Sequence, residues 1–162
     1  MTYEPSPLPT GLAERMGRSP QALALGLGVV AIAPELVLKV PYRPELVGDP
    51  DTGVFAGGVV TALLDFACGW ATIMALKTPT SIATLDLRID YMRPARPGRD
   101  LLASAHCYKM THSVAFLRGL AYDEDPADPV AAAQAAFMLD SNAGRAPGAN
   151  LEPPRMHPRR PR

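Results

Sequence analysis

Asp65 stands alone in a long apolar run, "GVFAGGVVTALLDFACGWATIMAL" (residues 53–76), which carries a double glycine, Gly57-Gly58, near its start. These two features could do chemistry on a carbonyl. A helix N-terminus presents backbone N–H groups without intrahelical partners, together with the positive end of the helix dipole. Glycines leave those donors unobstructed, so they can reach a carbonyl oxygen and stabilise an oxyanion. A carboxylate about two turns further along, held in a partly dry cleft, can serve as a general base. The bare pattern occurs in many helices, and Asp65 also has two structural readings: a residue on a solvated face, or a buried acid hydrogen-bonded for stability. The flanking turns offer no other charge, which counts against the solvated face.

Two stripes run along this segment at helical spacing. Val59, Leu63, Phe66, Trp70 and Ile73 form a bulky one. Gly58, Thr61, Ala62, Asp65, Cys68, Gly69 and Thr72 form another, small everywhere except at Asp65. Small residues let a second backbone, a ligand or another subunit come close. The run approaches the length of a membrane span, but the central carboxylate and small residues predict a buried helix instead.

The elements that must position this helix are strands. "LGVVAIAPELVLKVPYRPEL" predicts one strand over 27–33 and another over 36–42, and "GDPDTG" (48–53) marks a loop. "TPTS" ends the helix. "TLDLRIDYM" then alternates, with Leu85, Leu87, Ile89 and Tyr91 on one face and Thr84, Asp86, Arg88 and Asp90 on the other. "DLLASAHCYKM" and "VAFLRGLAY" read as an antiparallel hairpin about residues 111–113. "VAAAQAAFML" is ambiguous: its alanines suit a helix, while its short span between a proline and the tail suits a strand. The order predicts an α+β fold, a mainly antiparallel sheet with one dominant helix.

A chain of 162 residues, 48% hydrophobic and 20% charged, is most simply one domain. Its formal net charge of zero argues against nucleic-acid binding. Residues 141–162 hold five arginines against one glutamate, with five prolines, and read as a disordered basic tail. Residues 1–20 are a leading segment, disordered or with a short helix at "GLAERM"; residues 21–140 are the folded domain. No basic region followed by an apolar run opens the chain, which predicts a cytoplasmic protein. Cys68 and Cys107 have neither metal-ligand nor disulfide-framework spacing and read as small buried thiols.

The run "GVFAGGVVTALLDFACGWATIMAL", followed by "SIATLDLRIDYMRPARPGRDLLASA", resembles the hotdog-fold acyl-CoA thioesterases of the phenylacetate-degradation type. The resemblance spans roughly residues 27–140. It implies a sheet wrapped around the long helix and a homodimer with continuous sheets, often paired into a homotetramer. It also implies active sites at the dimer interface, where the glycine end of one helix faces the carboxylate of the other. Asp65 would be the base or nucleophile, the Gly57 backbone would hold the thioester oxygen, and Thr84 would assist the water. Gly58, Ala56 and Thr61 are candidate substrate contacts. Arg93 and Arg96, with Arg88, are candidates for the coenzyme A phosphates, though each also reads as a solvated charge. A coenzyme A thioester is then the substrate, with no cofactor, metal, nucleic acid or membrane partner.

Two positions depart from the family pattern. The His that precedes the glycines is Ala56 here, and an Asn a few residues earlier is replaced by Pro50, flanked by Asp49 and Asp51. Losing one polarising group of this kind costs about 10²–10³ in rate. His106 and His112 are poor substitutes by position, and His157 falls in the tail. Two function classes follow: a thioesterase, or, prompted by Ala56, a hotdog protein that binds acyl-CoA without turning it over. A dehydratase or hydratase would need a His–carboxylate pair, and no His lies near Asp65 in the sequence. Aromatic and medium-chain acyl groups both suit the small stripe and Trp70.

Overall fold

The computed structural model describes residues 18–76 and 80–140. The expected "GLAERM" helix and the basic tail lie outside those residues. Just inside them is a six-residue helix, α1 (Pro20–Leu25), which has no apolar periodicity to announce it. Its signals are local. The Ser19 hydroxyl accepts the Ala22 N–H at 3.1 Å, Pro20 starts the first turn, and Gly26 ends the helix in the left-handed region at φ 65°.

Strands β1 (Gly28–Ala31) and β2 (Leu36–Val40) lie on either side of the Pro34 break, both shorter than the alternation predicts. The loop expected at 48–53 is the tip of a small hairpin, β3 (Val47–Asp49) with β4 (Val54–Phe55). Helix α2 therefore covers Gly57–Ala75, not the whole apolar run, because Val54 and Phe55 are taken up in pairing with β3. Strands β5 (Ile82–Tyr91), β6 (Leu101–Met110), β7 (Val114–Tyr122) and β8 (Ala131–Leu139) follow. The main sheet has the order β1-β2-β6-β7-β8-β5, and every neighbouring pair is antiparallel. It wraps around α2, as the resemblance implies.

The ambiguous alanine segment is β8, a central strand between β7 and β5. Its burial alternates strictly, with Ala131, Ala133, Ala135, Phe137 and Leu139 turned inward. Helix propensity loses here because two flanking strands supply its ladder partners. The small residues have a packing use. Ala103, Ala105, Ala115 and Gly119 also face inward, so the helix lies close to the sheet and its bulkier Leu63 and Leu64 fill the layer between them. A Cβ at Gly119 would sit 3.3 Å from both Cys68 Sγ and Leu64 Cδ2. Cys68, read as a small buried thiol, is fully buried under the sheet, and so is Thr72 from the same small stripe. Although α2 is long and apolar enough to cross a membrane, its burial makes it the core helix of this fold.

The sharpest difference from the sequence pattern is in β5. A bulge between Thr84 and Asp86 leaves Leu85 without a ladder partner. Directly paired residues share a face, and the inward residues Leu139, Phe137, Ala135, Ala133 and Ala131 pair with Ile82, Thr84, Leu87, Ile89 and Tyr91. Simple alternation places Thr84 opposite Leu87. One extra residue reverses the parity and brings both to the helix side.

Gly48 shows how tightly the β3–β4 hairpin abuts the helix start. A Cβ there would lie 2.7 Å from Ala56 Cα, a backbone atom next to Gly57. Gly48→Ala is expected to cost about 1–3 kcal/mol, the usual scale of overpacking. Chemical denaturation would register this as a lowered midpoint at constant slope.

Candidate active site

Asp65 is half-buried on the flank of α2 that faces β5. Thr84 Oγ1 donates a hydrogen bond to Asp65 Oδ1 at 2.9 Å. The bulge in β5 is what permits this contact, since without it the Thr84 side chain would leave the opposite face. The hydroxyl orients the carboxylate and leaves one oxygen, Oδ2, open for a water.

At the start of α2, Ala56 is the N-cap residue and makes no side-chain cap bond. The Ala56 carbonyl accepts the Val59 N–H at 2.9 Å. Nothing lies within 4 Å of a Cβ placed on Gly58, and only Tyr91 Oη approaches one on Gly57, at 3.7 Å. The side-chain positions of both glycines are thus largely open, so no side chain of their own covers the first turn. Tyr91 Oη is 2.9 Å from the Gly57 carbonyl, Thr61 Oγ1 is 3.2 Å from the same oxygen, and the two hydroxyls lie 2.8 Å apart. Beside this turn is a cleft of about 320 Å³ with apolar walls that include Val54, Phe55, Val60, Met92 and Val130.

Eight residues of helix separate Gly57 from Asp65, a rise of about 12 Å. One carbonyl cannot touch both at hydrogen-bonding range, so the two halves within a single chain do not form one site. β5 lies at the edge of the sheet, ten residues long, with Leu85 and Tyr91 exposed. An unpaired edge of that length is open to pairing with another strand.

The arginines are placed differently from each other. Arg93 reaches the fully buried carboxylate of Asp123 with both guanidinium nitrogens, each at 2.8 Å, and its Nε lies 3.0 Å from Asp128 Oδ2. It lines the cleft but is committed to clasping residues 92–96 against 123–128. Arg96 is half-exposed and pairs with Glu124 at 2.6 Å. Arg88 is on the outer sheet face, paired with Asp90 at 2.9 Å. Pro50 occupies the turn of the β3–β4 hairpin, where Asp49 accepts the Asp51 N–H at 3.1 Å and the Thr52 hydroxyl at 2.7 Å. His106 is exposed on β6, and His112 meets Ser113 at the hairpin turn, 3.2 Å apart. His157 lies outside the described residues. Burial, and secondly the charge of Asp65, push the Cys68 thiol up to about 12, so it offers no thiolate at neutral pH. Neither Tyr91 nor the buried acid Asp123 was singled out from the sequence. Alternation put Tyr91 on one face with Leu87 and Ile89, but its tie to Gly57 needed the fold.

A six-stranded antiparallel sheet around one helix, with a glycine-opened helix start and a hydroxyl-bonded carboxylate, defines the hotdog class of thioesterase-like proteins. Residues 52–130, just under half of the chain, match the family model of the thioesterase superfamily. A crystal structure from Pseudomonas aeruginosa is 44% identical with a TM-score of 0.68, covering 78% of this chain and 98% of that one. The phenylacetic acid degradation protein PaaI from Thermus thermophilus, in a mutant crystal structure, is 29% identical with a TM-score of 0.63, covering 74% and 98%. The medium/long-chain acyl-CoA thioesterase YigI of Escherichia coli is 27% identical over 130 residues, 72% of this chain and 83% of that protein. A Halobacterium salinarum protein with an esterase name is 37% identical over 83 residues; the chain spans 54% of its length.

Proposed function

We propose that this chain is a cytoplasmic acyl-CoA thioesterase whose active site is completed by a second copy. The observation that carries the reading is Asp65, oriented by Thr84 beside an exposed sheet edge. Pairing of two β5 edges would bring the Gly57–Gly58 donors of one copy toward Asp65 of the other, removing the 12 Å obstacle (about eight residues of helical rise). Asp65 takes a proton from water as the oxygen attacks the thioester carbon. The carbonyl becomes an oxyanion at the N–H donors, then re-forms as the C–S bond breaks. The coenzyme A thiolate leaves and takes up the proton, giving a carboxylic acid and free thiol. Attack by Asp65 itself, through an anhydride that water then opens, is the variant of the same site.

The apolar cleft at the helix start suits the uncharged portion of the thioester. Both arginines are paired with carboxylates, but Arg96, half-exposed, is more accessible to a phosphate than the mostly covered Arg93. A dimer, or a dimer of such dimers, is the assembly this site requires.

A thiol-release assay on aryl-, short- and medium-chain acyl-CoAs tests the reading, and release from at least one is expected. Ala56→His adds a polarising group at the helix start and is expected to raise turnover. The missing cap at Ala56 favours a second reading, acyl-CoA binding without hydrolysis. Calorimetric binding of acyl-CoA with no thiol release across chain lengths would establish that alternative.

A further inference from the structure

The function proposed above leaves one side chain at the helix start without a task. Tyr91, from β5, reaches across to the Gly57 carbonyl at 2.9 Å, where Thr61 also lies at 3.2 Å. With the 2.8 Å approach between the hydroxyls, three oxygens form a closed ring. Two hydroxyls bring two protons to three contacts. In every arrangement that uses both protons inside the ring, at least one is donated to the Gly57 carbonyl.

That carbonyl shares a planar trans peptide with the Gly58 N–H, which points the opposite way. Holding the oxygen therefore aims the Gly58 N–H outward from the helix start. The preceding peptide is held likewise: the Ala56 carbonyl accepts the Val59 N–H at 2.9 Å, which aims the Gly57 N–H. Two donors are thus aimed by two anchored carbonyls, and in only one case does the anchor come from another element of the fold.

A helix that begins at Gly57 already engages this carbonyl in its own ladder, and the Tyr91 hydroxyl adds a hold from outside it. Consecutive glycines have the widest backbone freedom of any pair. The neighbourhood does little to confine them, since Gly58 has no neighbour within 4 Å of a Cβ position. Ala56 adds no side-chain cap. The strand that brings Thr84 to Asp65 also brings Tyr91 to Gly57, so β5 sets both halves of the chemistry.

We infer that Tyr91 is a positioning residue for the oxyanion donors, fixing the Gly57–Gly58 peptide with Thr61 as its local partner. It steadies from the strand the turn that Ala56 cannot cap. The catalytic consequence rests on the thioesterase reading; the effect on the peptide does not.

Tyr91→Phe removes the phenol oxygen and keeps the ring, and Thr61→Val removes the other hydroxyl while keeping its shape. For Tyr91→Phe we expect kcat to fall about tenfold, the scale of one lost hydrogen bond acting in the transition state. KM should stay within about twofold, whereas a merely structural defect would reduce the active fraction and leave kcat per folded molecule unchanged. Thr61→Val should act in the same direction, and the double variant should lose less than the two effects combined. The independent readout is the backbone amide ¹⁵N order parameter. In Tyr91→Phe it should drop at Gly58 toward the flexible range, below about 0.6, with the Asp65 amide unchanged. A Gly58 amide as ordered as in the unmodified protein overturns the inference, whatever the activity. A loosened Gly58 with unchanged kcat overturns the catalytic part. If the unmodified protein releases thiol from no acyl-CoA, the thioesterase reading fails, and the Gly58 amide alone decides the positioning.

Discussion

Asp65→Asn is expected to lower thiol release by about 10²–10⁴, the range supplied by a positioned general base. Asn is close in shape to Asp, and its side-chain oxygen can still accept the Thr84 hydroxyl, so the contact of 2.9 Å is retained. What is removed is the charge and the ability to take a proton. The same substitution also removes the nucleophile, so either route through Asp65 predicts the loss. Stability should move by no more than about 0.5 kcal/mol, as for a half-exposed residue away from the core. Steady-state kinetics beside a thermal melt separates the two effects. Unchanged turnover with an unchanged melt would remove Asp65 from the mechanism.

The largest effect on stability is expected at Arg93. Asp123 has a fully buried carboxylate, and Arg93, mostly covered itself, supplies both of its guanidinium bonds. Arg93→Met leaves that carboxylate without its main partner, and breaking a buried pair in this way costs about 3–5 kcal/mol. For a chain of this length the midpoint of thermal unfolding should fall by roughly 10 °C. Adding Asp123→Asn should restore much of the loss, because a neutral side chain still accepts the Arg96 N–H, now bonded at 2.8 Å. Failure of the double variant to recover would place the cost in the loop backbone instead of the stranded charge.

The same pair predicts an acid dependence. The Arg93 hydrogen bonds, helped by the Arg96 N–H and opposed by burial, hold Asp123 at about 2, below its ordinary value of 3.8. A carboxyl lowered on folding stabilises the native state above its unfolded value, and that contribution is lost as pH falls toward 2. It amounts to roughly 2 kcal/mol. Unfolding free energy measured between pH 5 and about 2 should therefore fall less steeply in Arg93→Met than in the unmodified protein.

Much of the fold can be read along the chain because periodicity and turn chemistry are local. The apolar run with one carboxylate becomes α2, and the hairpin about residues 111–113 closes as its length requires. The alanine run is the opposite case. Its composition suits a helix, and only the two strands that flank β8 make it a strand. The α1 helix was missed along the chain, because its only signals are Ser19, Pro20 and Gly26 and it carries no hydrophobic stripe. Arg93 and Arg96 are alike as loop cations in sequence; burial and the distant Asp123 separate them, since ion pairing depends on what lies across space.

At the site itself, sequence alone determined the chemical inventory: one carboxylate in an apolar helix, unobstructed donors at its start, and an alanine where the family carries histidine. Those properties belong to residue types and to spacing within one helix, which has a constant rise and turn. Tertiary structure decided how the inventory is arranged. The unpaired Leu85 reverses the alternation of β5 and sends Thr84 to Asp65, while Tyr91 reaches Gly57 from the far end of the same strand. A bulge is an event between two strands, one residue more on one side than on the other. Its position depends on the partner's register, which the sequence of β5 does not contain.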